Sequence, residues 1–340
     1  TISGAATAFS SVTNTATITV NAVNDAPILS DTNIFLNIVE DAGAPTGAVG
    51  TLVSSLVSVG GNVTDPDNNA LTGDGVIGNG ATGDGATGDG VTGNGVTGNG
   101  VTGIAITNAD TTNGSWFYST DNGSSWAALG SASDTNARVL AADGSTRLYF
   151  QPNANFNGSI GNALTFRAWD QTSATNGSTA NTTITSGATA FSIATDTVAI
   201  TIDAVNDAPT LTDTNVTLTA IEKDAGAPIG AVGTLVSSLV SLGVSGNASD
   251  PDTNPLTGVA IANADTTNGS FFYSTDNGTN WTPLGFVSDT NARLLAADAN
   301  TRIYFQPNAN FNGIISNALT FRAWDQTSGT NGSTADTTLS

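Results

Sequence analysis

The sequence predicts an all-β protein built as β-sandwich units in line. Three observations predict it. The residues that decorate helices are nearly absent: Lys plus Arg total 7, and Glu40 and Glu222 are the only glutamates. Thr, Asn, Gly, Val and Ile take their place, a composition of strands and turns. Short apolar runs are separated by turn signals such as "DNG", "DAGAP" and "DPDNN", with no long stretch of 3.6-residue period. Finally, the chain repeats itself.

The repeats set the organisation. "AVNDAP" stands at Ala22–Pro27 and again at Ala204–Pro209, and the next 30 or so residues match closely from Asn24 and from Asn206. "TDPDNNALTG" at Thr64 returns as "SDPDTNPLTG" at Ser249, and "NADTTNGSWFYSTDNGSSW" at Asn108 as "NADTTNGSFFYSTDNGTNW" at Asn263. "TRLYFQPNANFNGSIGNALTFRAWDQTS" at Thr146 returns almost unchanged at Thr301. A closing segment, "TITSGATAFSIATDTVAITIDAV" at Thr183–Val205, has its relative at the very start, "TISGAATAFSSVTNTATITVNAV" at Thr1–Val23. The reading is therefore permuted. Residues 1–23 are an orphan terminal strand segment of a preceding repeat, 24–205 a first unit, and 206–340 a second unit lacking its final strand. Two accounts fit such ends. The chain is a processed or excerpted window of a longer array, whose neighbouring repeats supply the missing parts. Or it is a filament subunit whose N-terminal strand completes the C-terminal unit of the next copy by strand addition.

Each element has a local reason. In "TVAITIDAV", Val198, Ile200 and Ile202 alternate with Thr and Ala, the period of a half-buried strand. "TLVSSLVS", "GSWFYST", "TRLYF" and "ALTFRAW" read as further short strands. "STDNGSSW" reads as a hairpin turning at Asp121–Gly123. Residues 72–101 form six glycine-rich pentapeptides that the second copy lacks. An odd period moves side chains from face to face, so this is no ordinary half-buried strand. It reads as a surface loop, or as an ordered coil or calcium-responsive flap using Asp74, Asp84 and Asp89.

The charge closes several classes of function. The net charge is −21, with 28 Asp plus Glu, so no basic surface is present for nucleic acid phosphates. There is no Cys and no His, which removes the common nucleophile–base pairs, zinc sites and disulfides. No run of about 18 apolar residues suggests a membrane span. Paired carboxylates could in principle hydrolyse glycosides, but these acids lie at turns and recur with the repeat. The expectation is no enzyme.

Calcium is the chemistry the acids suggest. Ca²⁺ takes 6–8 oxygen ligands, mainly carboxylates and carbonyls. Each "DPD" places two carboxylates two residues apart around a rigid proline, which makes Asp65, Asp67, Asp250 and Asp252 candidate ligands. Divalent ions would also relieve the self-repulsion of so acidic a chain. The competing reading is that each Asp is a turn-former whose carboxylate binds local backbone.

"VNDAP", then "VED" or "IEKD", then "DPD…LTG", then the "F-x-P-x-x-x-F-x-G"-like run and "LTFRAWD" resemble the cadherin-like repeats of giant bacterial surface adhesins, also called tandem-95 or VCBS-type repeats. The likeness covers nearly the whole chain apart from the pentapeptides. It implies tandem immunoglobulin/cadherin-like β-sandwich domains in a linear array, secreted to the bacterial cell surface and often stiffened by Ca²⁺ at their junctions. It further implies Glu40 and Glu222 as acids reaching a linker metal, with Asp25 and Asp207 in the linkers and Asp170 and Asp325 of "RAWD" facing the same place. "DAVNDAP", beginning at Asp203, is similar to the animal cadherin linker with its spacing changed by one residue. In the first copy Asn21 stands where Asp203 stands in the second. Partners would be other copies of the chain or neighbouring repeats. A different class, a calcium-dependent carbohydrate-binding module for a glycan or cell-surface ligand, would use exposed Trp platforms. The spacer reading expects Trp116, Trp126, Trp169, Trp281 and Trp324 in the core. The Arg pairs, Arg138 with Arg293, Arg147 with Arg302 and Arg167 with Arg322, are expected to pair structurally with Asp.

Overall fold

A computed structural model describes residues 12–19, 23–58, 61–66, 102–184, 187–212 and 215–338. The pentapeptide segment 72–101, Asp67, and residues 1–11 and 20–22 of the N-terminal segment lie outside the described residues. Among the described residues there is no α-helix, in line with the all-β expectation. The chain divides into two compact units, 1–203 and 204–340.

The first unit contains β1 (Ile28–Leu29), β2 (Ile34–Val39), β3 (Thr51–Leu52), β4 (Val63–Thr64), β5 (Gly103–Ala109), β6 (Gly114–Ser119), β7 (Ala127–Ala128), β8 (Ala137–Ala141), β9 (Arg147–Pro152), β10 (Gly158–Trp169), β11 (Thr179–Ala180) and β12 (Asp196–Asp203). A six-stranded sheet runs β11-β8-β5-β10-β12-β2 and a four-stranded sheet runs β3-β9-β6-β7. Both sheets feed one core: Ile104, Ile106, Leu140, Leu164 and Phe166 of the larger share it with Trp116, Leu148 and Phe150 of the smaller. Trp116 and Phe150 meet there with ring centres 5.0 Å apart, a separation at which aromatic pairs attract.

The alternation in "TVAITIDAV" becomes β12. Val198, Ile200 and Ile202 are buried, while Thr197 and Ala199 are only partly covered and Thr201 is exposed. The strand is internal to the sheet, next to its edge. It pairs antiparallel with β10, Ile160 opposite Ile200 and Leu164 opposite Val198. On its other side it pairs parallel with β2, from Val198 opposite Ile34 to Asp203 opposite Val39. The hairpin expected at Asp121–Gly123 is present between β6 and β7. Asn122 and Gly123 take left-handed φ of 57° and 83°, and the Gly123 N–H donates to Ser119 Oγ at 2.8 Å.

Two expectations need correction. "TLVSSLVS" is not a full strand. Only Thr51–Leu52 pairs, and Val53–Ser55 is a 3-10 turn. Val53, Leu56 and Val57 are all buried, a spacing of three and four that belongs to a helical turn. The arginines do not all pair with aspartate. Arg167 and Arg322 do, with Asp134 and Asp289 at 3.1 and 3.0 Å. Arg138 instead lies 4.9 Å over the Tyr118 ring and donates to the Gly177 and Leu129 carbonyls, and Arg293 repeats this over Tyr273. Arg147 and Arg302 donate to Asn122 and Asn277.

The second unit contains β13 (Thr210–Leu211), β14 (Thr234–Leu235), β15 (Ala248–Ser249), β16 (Gly258–Ala264), β17 (Gly269–Ser274), β18 (Thr282–Pro283), β19 (Ala292–Ala296), β20 (Arg302–Pro307), β21 (Leu319–Trp324) and β22 (Thr334–Ala335). Its sheets run β14-β20-β17-β18 and β21-β16-β19-β22. The second of these corresponds to β10-β5-β8-β11. Among the described residues, no strand of this sheet corresponds to β12 or to β2. Residues 216–221, which match β2, carry no strand, and neither do residues 313–318, which match the first half of β10. The cause is local: both segments are partners of β12 in the first unit, and a strand without its ladder has nothing to hold it extended. In that place is an open groove of about 940 Å³. Leu319 and Phe321 are half-buried there, whereas their counterparts Leu164 and Phe166 are fully covered.

Candidate metal centre

Of the candidate metal ligands, Glu40 belongs to the first unit, and Asp207, Asp250 and Asp252 belong to the second. In the first unit Glu40 closes β2. Its N–H donates to the Asp203 carbonyl at 2.9 Å, one step beyond the β2–β12 ladder. That extension takes the side chain inward, to 2% exposure, where Asn157 Nδ2 donates to Oε2 at 2.8 Å. Asp203 itself is exposed and accepts from Asn37 Nδ2 at 2.8 Å. A buried carboxylate requires compensating donors or a cation.

In the second unit the "DPD" loop is folded on itself. Asp252 N–H donates to Asp250 Oδ1 at 3.0 Å, and Asp207 N–H donates to Asp252 Oδ2 at 3.1 Å. The chain thus brings the linker aspartate of "NDAP" against the second carboxylate of "DPD". Among the described residues, Asp250 Oδ2 is buried with no hydrogen-bond partner, an arrangement that costs free energy unless a cation or water satisfies it. These oxygens are hard donors of the kind Ca²⁺ takes, so the residues present fit such an ion. In the first unit's loop Asp65 is half-buried, and Asp25 is exposed.

Other candidates are engaged elsewhere. Asp170 accepts at Oδ1 from the Thr172 N–H and hydroxyl, and at Oδ2 from Asn24 Nδ2 at 3.1 Å. Asp325 repeats the set with Thr327 and Asn206. Burial pushes the Asp325 carboxyl up, but the donors from Asn206 and Thr327 outweigh it and hold it below its ordinary value. The Asn of each "VNDAP" therefore fastens to the Asp of its own unit's "RAWD". Sequence reasoning passed over Asn24, Asn206 and Asn157. The exact recurrence of "VNDAP" and "NFNG" was the available signal. Glu222 is exposed, unlike Glu40. The second copy carries Lys223 as an extra residue before "DAGAP", and its segment 216–221 has no ladder to carry the glutamate inward.

The tryptophans are mostly core. Trp116, Trp169 and Trp324 are buried. Trp126 and Trp281 are half-buried, each edge-on to a tyrosine with ring centres 5.9 Å apart, and each donates from Nε1 to a glycine carbonyl, Gly47 or Gly230. No helix among the described residues is long and apolar enough to cross a membrane. Comparison of the chain with family models, curated proteins and solved structures gives no match.

Proposed function

We propose that the chain is a non-catalytic extracellular structural segment, two β-sandwich repeats of a bacterial surface fibre or adhesin stalk. One observation carries the reading. Position by position, the two units spend their distinctive residues on the same structural tasks: the Asn–Asp latch, the Arg over Tyr, the Trp against Tyr and the Asp-centred hairpin all occur twice. Duplicated construction of this kind suits an array that must extend. Ca²⁺ is the proposed stiffener, held in the second unit through Asp207, Asp250 and Asp252. The resemblance to cadherin-like adhesin repeats supports the same reading.

The test of the metal is thermal. At a Kd of about 10⁻⁴–10⁻³ M, typical of extracellular sites, about 10 mM calcium stabilises by about 1.4–2.7 kcal/mol. The protein is expected to melt higher in calcium than in chelator. Asp250→Ala with Asp252→Ala is expected to erase that difference, whatever it does to the melting point in chelator. The same melting point in calcium and chelator for the unaltered chain would remove Ca²⁺ from the account. Electron microscopy at high protein concentration tests the fibre itself.

A further inference from the structure

We propose that two copies of this chain join through the open edge of β2, pairing antiparallel about Asn37, so that the six-stranded sheet of one first unit runs on into that of the other. The contact goes beyond the repeat array proposed above, because it joins separate chains through one symmetric surface and needs no metal.

The edge is of an unusual kind. In the first unit β2 ends its sheet, with β12 on one side only. The other edges of the two large sheets, β3, β7 and β11, are two residues long, whereas β2 has six. Short strands, charges and prolines are the usual protection of an edge. "IFLNIV" contains no charge, no Pro and no Gly. Glu40 turns its N–H to the Asp203 carbonyl of β12. By the alternation of a strand, Phe35, Asn37 and Val39 turn their N–H and C=O groups to the open side.

The side chains match this edge. Phe35 is 72% exposed and Val39 51%, on the face away from the core. Ile34, Leu36 and Ile38 on the other face are only partly buried. The second copy of the repeat is close in sequence, yet Thr217 stands there in place of Phe35 and Thr219 in place of Asn37. The exposed aromatic ring is therefore no requirement of the repeat.

A second copy is the occupant that the charges favour. The chain carries −21, so two molecules repel except where a neutral surface meets a neutral surface. The exposed acids Asp31 and Asp41 flank β2, and they select the register. Centring the pair on Leu36 would set Asp31 directly opposite Asp41 of the second copy, twice, which is destabilising. Centring it on Asn37 sets Asp31 opposite Gly43 and Asp41 opposite Asn33. Phe35 then faces Val39 of the second copy, an aromatic and β-branched pair of the favourable kind, and Leu36 faces Ile38. The twofold axis makes each of these contacts twice and closes the assembly at two copies.

The test uses exposed positions, where folding is not at stake. In sedimentation velocity the unaltered chain should approach twice its mass of 33.8 kDa as its concentration rises. Phe35→Thr, the residue that the second unit carries, should weaken the dimer about tenfold, since two cross-strand pairs are lost. The chain has no cysteine, so one introduced thiol reports on one place. Asn37 meets its own copy on the axis with Cα atoms roughly 5.5 Å apart, within disulfide range. Asn37→Cys under mild oxidation should therefore give a covalent dimer. Val39→Cys, on the same face but roughly 13 Å from its own copy along the strand, should give about tenfold less or lower. Equal yields from the two positions, no covalent dimer, or association unmoved by Phe35→Thr would overturn the pairing. Filaments that form without the 37–37 link would support the array and still overturn this contact.

Discussion

Leu164→Ala and Leu319→Ala change the same position of the two repeats, and the structure makes their costs differ. Leu164 lies in the middle of β10 with neighbours β5 and β12 on either side, and it is fully buried. Truncating such a leucine removes its transfer free energy and leaves a cavity, together about 3 kcal/mol. Leu319 is half-buried beside an open groove. About half the transfer term is at stake and no new cavity is made, so its loss should be about 1 kcal/mol. For a unit of this size a kcal/mol moves the melting point by roughly 2–4 °C. Leu164→Ala should therefore lower the first unit's transition by about 6–12 °C, and Leu319→Ala the second unit's by about 4 °C or less. Differential scanning calorimetry at low protein concentration reads both, because each variant identifies the transition it moves. Equal shifts would refute the reasoning, since they would mean that the second core is already closed.

Three further outcomes concern the β6–β7 hairpin and the residues just after it. Donors from Ser125 and Ser119 hold the Asp121 carboxyl down to about 2. A depressed carboxyl contributes stability that is complete above its ordinary pKa of about 3.9 and is lost as pH falls through the folded value. Asp121→Asn should thus flatten the decline in urea midpoint between about pH 4 and pH 2, and an unchanged slope would count against the hydrogen-bond account. Gly123 has φ +83°, and a Cβ there would lie 1.8 Å from the Gly47 carbonyl oxygen. Gly123→Ala should cost more than about 2 kcal/mol in chemical denaturation. Gly130→Ala, at φ +73° with nothing within 4 Å, should cost about 1 kcal/mol.

Alternation was the most legible signal. It placed β12 and the β6–β7 turn, because a period of two beside glycine-rich turns has one simple reading. "TLVSSLVS" misled because Val53, Leu56 and Val57 satisfy a helical spacing as well as an apolar-run reading, and only the hydrogen bonding of the turn chooses. Ser55 Oγ donates to the Leu52 carbonyl at 2.7 Å and closes the turn. At the acids, spacing alone could not separate ligands from turn-formers. Asp170 and Asp325 sit in Asp-x-Thr, which also recurs as a turn at Asp110, Asp265 and Asp336. Glu40 and Glu222 look equivalent in sequence, yet their burial depends on a ladder that only one of them has.

The parallel pairing of β2 and β12 has a mechanical consequence. A pull applied at the Ile34 end of β2 and at the Asp203 end of β12 acts along the two strands in opposite senses. Six successive residue pairs, Ile34 with Val198 through Val39 with Asp203, would then be loaded together in shear rather than opened one after another. Resistance to forced unfolding is set by the height of the unfolding barrier, and sharing the load across a whole ladder raises it. Residues 216–221 offer no such ladder in the second unit, so under tension that unit should yield first whenever its groove is empty.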